Sequence, residues 1–425
     1  MAFLVGGCVR DLLLGMDPKD FDVATDALPE QVKRLFRNSR LVGRRFRLAH
    51  VFFGRDIIEV ATFRATSAPA QGEEPLPEAD PEDGEAPELD EPQSADLTFD
   101  ASGRILRDNV YGTIDEDVWR RDFTANALYY NVADFSLWDY VGGAEDIAAR
   151  TLRMIGDPDT RFREDPVRLL RAVRFEAKLG FHIDPATARP IGPLRELLAG
   201  VPAARLFDET LKLFLTGHGA RSLETLRRRG LLATLLPSVE RYFAKHPGSL
   251  VEKLLMQGLK NTDARVAADK PVTPSFLFAL LLYGPIAGVI ESTPPERWHE
   301  LATILDACDQ ATREAQARLA IPKRFSLAVR EMFALQPRLE HPRGRRALRL
   351  LEHPRFRAAY DLLLLRAEFG LAPRERAEWW THLQEVSAEE RGKMTDALAG
   401  AGRAPAGPGR RGRGRRRRRG TPAPA

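Results

Sequence analysis

Leu4-Val5-Gly6-Gly7-Cys8-Val9-Arg10-Asp11, followed by Lys19-Asp20-Phe21-Asp22-Val23, is the stretch that decides how this 425-residue chain folds. Asp20 and Asp22 alternate with apolar Phe21 and Val23, the period of a β-strand, in which residues two apart share a face. The strand then presents both carboxylates together and turns Phe21 and Val23 into a core. Carboxylates this close repel unless cations lie between them, so divalent metal is their natural partner. The pair suits a two-metal phosphoryl-transfer site, whose ions sit roughly 3.5–4 Å apart. A polar edge strand or turn has the same local sequence, so the pair needs company.

The glycines supply it. Gly6-Gly7 follows the apolar run Phe3-Leu4-Val5 and precedes Val9-Arg10-Asp11-Leu12-Leu13-Leu14-Gly15. This reads as strand, tight turn, and a short helix closed by glycine. Such a turn offers backbone N–H groups to an anion, and Arg10 adds a charge beside it, although a plain turn would use the same glycines. A phosphate cradle shortly before a metal-binding pair is what nucleotidyl transfer requires.

Downstream, Pro29 to Phe36 reads as a helix, and Arg40 to Val51 as strand and turn with Arg44 and Arg45 in a positive strip. A further strand, Ile57 to Phe63, carries a lone acid, Glu59, either a satisfied edge residue or a third carboxylate beside Asp20 and Asp22. Arg120-Arg121-Asp122 is expected to open a helix, with Asp122 capping N–H groups and the arginines addressing phosphates or sugar. Leu137 to Gly143 reads as a strand ending in a glycine turn. From about residue 145 the pattern is helical. Asp165-Pro166 reads as cap and first position of a helix on which Asp165, Arg168, Arg171 and Arg174 recur every three residues. A solvated basic face is the plain reading. The functional one is that a carboxylate acceptor and a guanidinium donor match the polar edge of a base.

The run Leu4 to Gly15 with Lys19-Asp20-Phe21-Asp22-Val23-Ala24-Thr25 resembles the head of the polymerase-beta-like nucleotidyltransferases of the class II CCA-adding enzyme and bacterial poly(A) polymerase family. Arg120-Arg121-Asp122 is similar to that family's second motif and Leu137 to Gly143 to its third, while Asp165 to Arg168 is similar to its base-reading motif. The resemblance implies an α+β protein. A nucleotidyltransferase head of mixed sheet and helices spans 1–145, and an all-α region follows, with a neck at 146–235 and an RNA-binding body at 236–395. It implies that Asp20, Asp22 and Asp122 are catalytic, Asp122 as a third carboxylate or as the holder of the ribose. Asp20 and Asp22 would hold two Mg2+ ions. ATP would be held by Gly6, Gly7, Arg10, Arg121, Asp165, Arg168, Arg171 and Arg174, with Asp165 and Arg168 selecting the base without a template. A helix usually precedes the first strand in this family, so a misassigned start or incomplete packing of the head is expected.

Within the family, the strings Arg40 to Val51, Leu319 to Arg324 and Leu351 to Leu362 are similar to the poly(A) branch, which adds AMP from ATP to RNA 3′ ends. The implied setting is mRNA processing and decay, with RNA-decay proteins as partners. A CCA-adding transferase shares the head motifs and needs CTP. A non-catalytic RNA-binding protein with a relic head is the alternative of another class. None of the eight histidines is followed directly by Asp, so the doublet of the metal phosphohydrolases fused to some CCA-adding relatives is absent.

Charge points to the same partner. Residues 68–100 hold twelve Asp or Glu and no Lys or Arg, and residues 401–425 hold nine Arg and no acid. Setting these twelve acids and nine arginines aside moves the formal net charge from +4 to +7. A basic remainder with an arginine tail favours a polyanion, with affinity that falls as salt rises. Residues 65–104 and 396–425 are too poor in apolar side chains to offset ordering entropy, and disorder is expected in both. Two cysteines, Cys8 and Cys308, exclude a disulfide framework or a cysteine zinc site and fit a reducing, cytoplasmic setting. No apolar run is long enough to span a membrane.

Overall fold

The computed structural model describes residues 1–43, 47–65, 97–99, 105–108 and 110–401; of 97–99, 105–108 and 399–401 it describes the backbone alone. Arg44, Arg45, most of the acidic insert and the arginine tail beyond Ala401 therefore lie outside the described residues.

The apolar run at the start forms β1 (Ala2–Val5). It ends at Gly6, whose φ of 78° and ψ of −129° belong to backbone that a side chain rarely tolerates. Helix α1 (Gly7–Leu13) starts there and is closed at Gly15, φ 71°. Next come β2 (Asp22–Thr25), α2 (Pro29–Leu35), β3 (Ser39–Val42), β4 (Leu48–Phe53) and β5 (Asp56–Thr62). A hairpin follows, β6 (Leu97–Phe99) with β7 (Ile105–Asp108), which puts β6 inside the stretch expected to be disordered. Helix α3 (Ile114–Arg120) is set by a capping box in which Glu116 N–H donates to Thr113 and Thr113 N–H donates to Glu116. Then come β8 (Leu128–Tyr130), β9 (Leu137–Asp139), α4 (Gly143–Ala148), β10 (Thr151–Leu152), α5 (Pro158–Glu164), α6 (Val167–Leu179) and β11 (His182–Ile183). The rest is helical to Ala401, so the last helix, Ala388–Ala401, runs into the expected tail.

Seven strands form one sheet in the order β3-β4-β5-β2-β1-β8-β9, mixed because β2 and β5 are parallel while the other pairs are antiparallel. One core cluster under the sheet holds Phe3, Phe63 and Tyr129, with Trp138 packed against it. Their ring centroids lie 5.0–6.3 Å apart, within the range of favourable aromatic pairs. A much larger cluster runs without interruption from Cys8 and Val9 of α1 through Phe123 and Val173 to Trp380 and Leu383. The helix carrying the glycine turn is thus packed directly on the helical region, and that contact builds a cleft between them.

Three local expectations are corrected. Asp20 precedes β2, and Phe21 is 40% exposed instead of buried, because β2 begins only at Asp22, opposite Val5, the last residue of β1 before the Gly6 turn. Arg120-Arg121-Asp122 closes α3 instead of opening a helix, since the Thr113 box fixes that helix a turn and more earlier. Asp165 sits in the break between α5 and α6; its Oδ1 accepts the Val167 N–H at 3.3 Å, so it caps α6 from one residue further out than a cap at Pro166 would. No single helix among the described residues is long and apolar enough to cross a membrane.

Candidate active site

The cleft has a volume of about 930 Å3, room for a nucleotide. Gly6, Gly7, Arg10, Asp20, Asp22, Arg121, Asp122, Asp165, Arg168, Arg171 and Arg174 all line it. Its lining combines carboxylates, Asp20 just before β2 and Asp22 at its start among them, with arginines, including Arg168, Arg171 and Arg174 of α6.

Among the carboxylates, Asp22 stands in parallel register with Glu59 of β5, and Glu59 is in turn paired with His50 Nε2 at 3.3 Å. Glu59 is thus a partnered residue on an interior strand, not an edge, and its charge bears on Asp22 although it does not line the cleft. Desolvation and the charges of Glu59 and Asp20 push the Asp22 carboxyl up to about 6, against a weaker opposing pull from Arg121. A carboxylate whose charge is opposed by burial and by its acidic neighbours is what a divalent cation relieves, so Asp22 with Asp20 fits one. Asp122 lines the same cleft with its oxygens already taken. Oδ1 accepts from Phe123 N–H at 2.8 Å and Asn126 Nδ2 at 3.2 Å, and Oδ2 from Arg171 at 2.5 and 2.7 Å. Burial opposes its charge, but Arg171 and these donors outweigh that and push its carboxyl down to about 2. Among the described residues no three His, Cys, Asp or Glu side chains are grouped to hold one ion.

The arginines are held by paired acids. Arg168 Nη1 donates to Glu164 at 3.0 Å and to the Arg161 carbonyl at 2.8 Å; Arg174 Nε donates to buried Glu209 at 2.5 Å. Arg121 donates to Asp117 and to the Tyr129 hydroxyl, whose hydrogen donates to Asp117 at 2.6 Å. Burial works against the Arg121 charge, yet Tyr129 and Asp117 more than compensate and keep it firmly protonated. Asp165 Oδ2 accepts from Arg205 at 2.9 Å. Neighbouring Arg120 is pushed down to about 9 by burial and then by the charges of Arg64, Arg161, Arg168 and Arg121. Cations crowded to this degree favour an anion among them.

Arg10 lines the cleft and is itself held by protein partners. It is 1% exposed and is committed to Asp11 at 2.5 and 2.8 Å and to Asn126 Oδ1, with its guanidinium 5.3 Å from the Phe175 ring. It braces the glycine turn against α6. Lys178 joins Asp11 at 3.2 Å across the same seam.

Sequence reasoning did not single out Asn126, Arg205 or Glu209. For Glu209 a signal was present: a lone acid among Leu206, Phe207, Thr210 and Leu213 on the buried face of the helix Ala203–Phe214. Asn126 and Arg205 meet their partners only in the folded chain.

The chain matches the Poly A polymerase head domain over residues 2–153, a probable RNA and SrmB-binding site of polymerase A over 180–243, and the polymerase A arginine-rich C-terminus over 296–420. It is similar to Poly(A) polymerase I of Salmonella typhimurium, 46% identical over 404 residues, covering 93% of this chain and 82% of that one. It is also similar to the CCA-adding enzyme of Bacillus velezensis, 35% identical over 234 residues, 55% of this chain and 51% of that one. Among solved structures, the Bacillus stearothermophilus CCA-adding enzyme in complex with CTP superimposes with a TM-score of 0.56 and 26% identity, covering 96% of this chain and 85% of that one.

Proposed function

The chain belongs to the poly(A) polymerase family, and from that premise we propose how its own residues carry the reaction. It extends RNA 3′ ends with AMP from ATP and releases pyrophosphate; in sequence, the likeness to the Salmonella typhimurium poly(A) enzyme spans nearly the whole chain at 46% identity, while that to the Bacillus velezensis CCA-adding enzyme spans about half at 35%. The observation that carries the mechanism is the cleft itself, which gathers Asp20 and Asp22 with Arg168, Arg171 and Arg174 in one lining.

Asp20 and Asp22 are the residues that would hold divalent metal. When bound, Mg2+ at such a pair acidifies the attacking 3′-hydroxyl and stabilises the departing pyrophosphate. The chain's other groups bind and orient. The turn at Gly6 and Gly7 brings backbone close to the triphosphate, and Arg121 and Arg171 take its charge. Arg171 is aimed by Asp122, which thereby acts on the phosphates or, at the cleft surface, on the ribose. Asp165 and Arg168 offer an acceptor and a donor to the edge of adenine, and Arg174, fixed by Glu209, extends the cationic row. Residues 1–145 then serve as catalytic head, 146–235 as neck and 236–395 as body, in a cytoplasmic setting.

The test offers the purified protein, with magnesium, an unstructured RNA and a tRNA lacking its 3′ end, each with ATP or with CTP. A long ladder on the unstructured RNA with ATP alone is expected. A fixed short addition confined to tRNA and requiring CTP would overturn the assignment.

The carboxylate pair also predicts a pH signature. The Asp22 carboxyl is raised in the fold, so its ionisation costs stability as pH climbs from its unfolded value toward and past about 6. Cation binding removes that cost but must displace a proton below it. Magnesium should therefore raise the thermal midpoint more at pH 7.5 than at pH 5, and an equal shift at both would remove Asp22 from the metal site.

A further inference from the structure

A second cavity, of about 700 Å3, opens among the helices Leu250–Ala267, Pro274–Leu281, Lys323–Glu340 and Phe356–Glu368 and shares no lining residue with the cleft. Its wall is largely apolar, including buried Leu277 and Met332 and the half-buried ring of Phe276. Asp361 is set into this wall, partly buried. Two exposed arginines stand with it: Arg357, 3.1 Å from the Asp361 carboxylate, and Arg265, which donates to the Pro271 carbonyl at 2.9 and 3.2 Å.

These parts differ in what they recognise. A flat ring gains by stacking on Phe276 and by leaving water for the apolar wall. The Asp361 carboxylate accepts hydrogen bonds from an amino edge, and its position makes that useful, since burial raises its carboxyl against the pull of Arg357 and Arg265. The arginines at the mouth suit phosphate. Ring, amino edge and flanking phosphates in one ligand describe a nucleotide unit of single-stranded RNA.

We propose that this cavity receives one unpaired nucleobase of the RNA substrate, upstream of the 3′ end, stacked on Phe276 with its amino group on Asp361 and its flanking phosphates on Arg265 and Arg357. The proposal rests on the reading that the chain acts on RNA. Adenine, cytosine and guanine carry the required amino group and uracil does not, so a growing adenosine tract is a suitable occupant. The cavity is then a second grip on the product, separate from the chemistry.

The test uses the full chain and single-stranded RNA oligomers carrying one 2-aminopurine, moved stepwise upstream from the 3′ end. One upstream position should change fluorescence on binding. Phe276→Ala, or Ser275→Trp to fill the cavity, should abolish that change and weaken binding of long adenosine oligomers by roughly tenfold, the scale of one lost stacking contact. Asp361→Asn, a conservative variant that spares the wall, should reduce the preference for adenosine over uridine oligomers. KM for ATP and turnover on the shortest extendable primer should not move in any variant. Unchanged long-RNA affinity in both Phe276→Ala and Ser275→Trp overturns the proposal. So does displacement of the fluorescent base by free AMP as effectively as by RNA, which would make the cavity a small-molecule site. Failure of the unaltered protein to bind RNA at all would instead overturn the functional reading on which the proposal rests.

Discussion

Asp20→Asn and Asp22→Asn should each lower AMP incorporation by roughly a thousandfold, the scale on which removal of a preorganised electrostatic group acts, while leaving the fold intact. The second half of that expectation separates a functional residue from a structural one. Asp22 is a destabilising charge in the folded chain without metal, because desolvation and the facing charges of Glu59 and Asp20 disfavour it. Asparagine keeps the shape and removes the charge, so the metal-free thermal midpoint of Asp22→Asn should stay level or rise, and magnesium should lose its stabilising effect. Asp20 lies before the strand and makes no ladder pair, so its amide should be equally tolerated. Full activity in Asp22→Asn would sink the assignment of this pair as the metal-holding one. A large fall in the midpoint would show that the carboxylate supports the fold instead.

The features that could be read from the sequence are those fixed within a few residues. Gly6 and Gly15 adopt positive φ, which few other residues would accept, so strand, turn and helix followed from the glycines alone. The three-residue recurrence of Arg168, Arg171 and Arg174 placed them on one helical stripe, and all three do reach the cleft. Misreadings arose where a longer-range contact decided. Phe21 loses its place in a core because β1 has already turned away at Gly6. The helix before Asp122 is positioned by Thr113 and Glu116, a capping box that was visible as Thr-x-x-Glu. The contacts that hold Arg10 at the cleft were half legible, since Asp11 is its neighbour in sequence while Asn126, the partner of Nη1, lies 116 residues away. The arginine row was legible as charge but not as structure. Glu164, Asp122 and Glu209 hold it open, and they are brought to it by α5, the segment after α3 and the helix Ala203–Phe214.

The contact between Asp122 and Arg171 yields the second large effect. Asp122→Ala should cost about 3–5 kcal/mol of stability, the usual consequence of stripping one partner from a buried ion pair. Asp122 is 8% exposed, and its removal leaves Arg171 without its carboxylate and Phe123 N–H and Asn126 Nδ2 without an acceptor. The pH dependence has the opposite sign to that of Asp22. Because the folded-state carboxyl is depressed to about 2, its contribution is complete above the ordinary aspartate value near 4 and is lost as pH falls through about 2. Denaturant titrations of the unaltered chain and Asp122→Ala should thus converge on acidification. Replacing both partners, Asp122→Leu with Arg171→Met, should recover much of the stability, since no charge is left buried alone, and should recover none of the activity. Were the double variant as unstable as Asp122→Ala, the cost would lie in the lost backbone acceptor of Phe123 and not in the ion pair. Were it active, neither residue would handle the triphosphate or the ribose, and the junction of head and neck would be a brace alone.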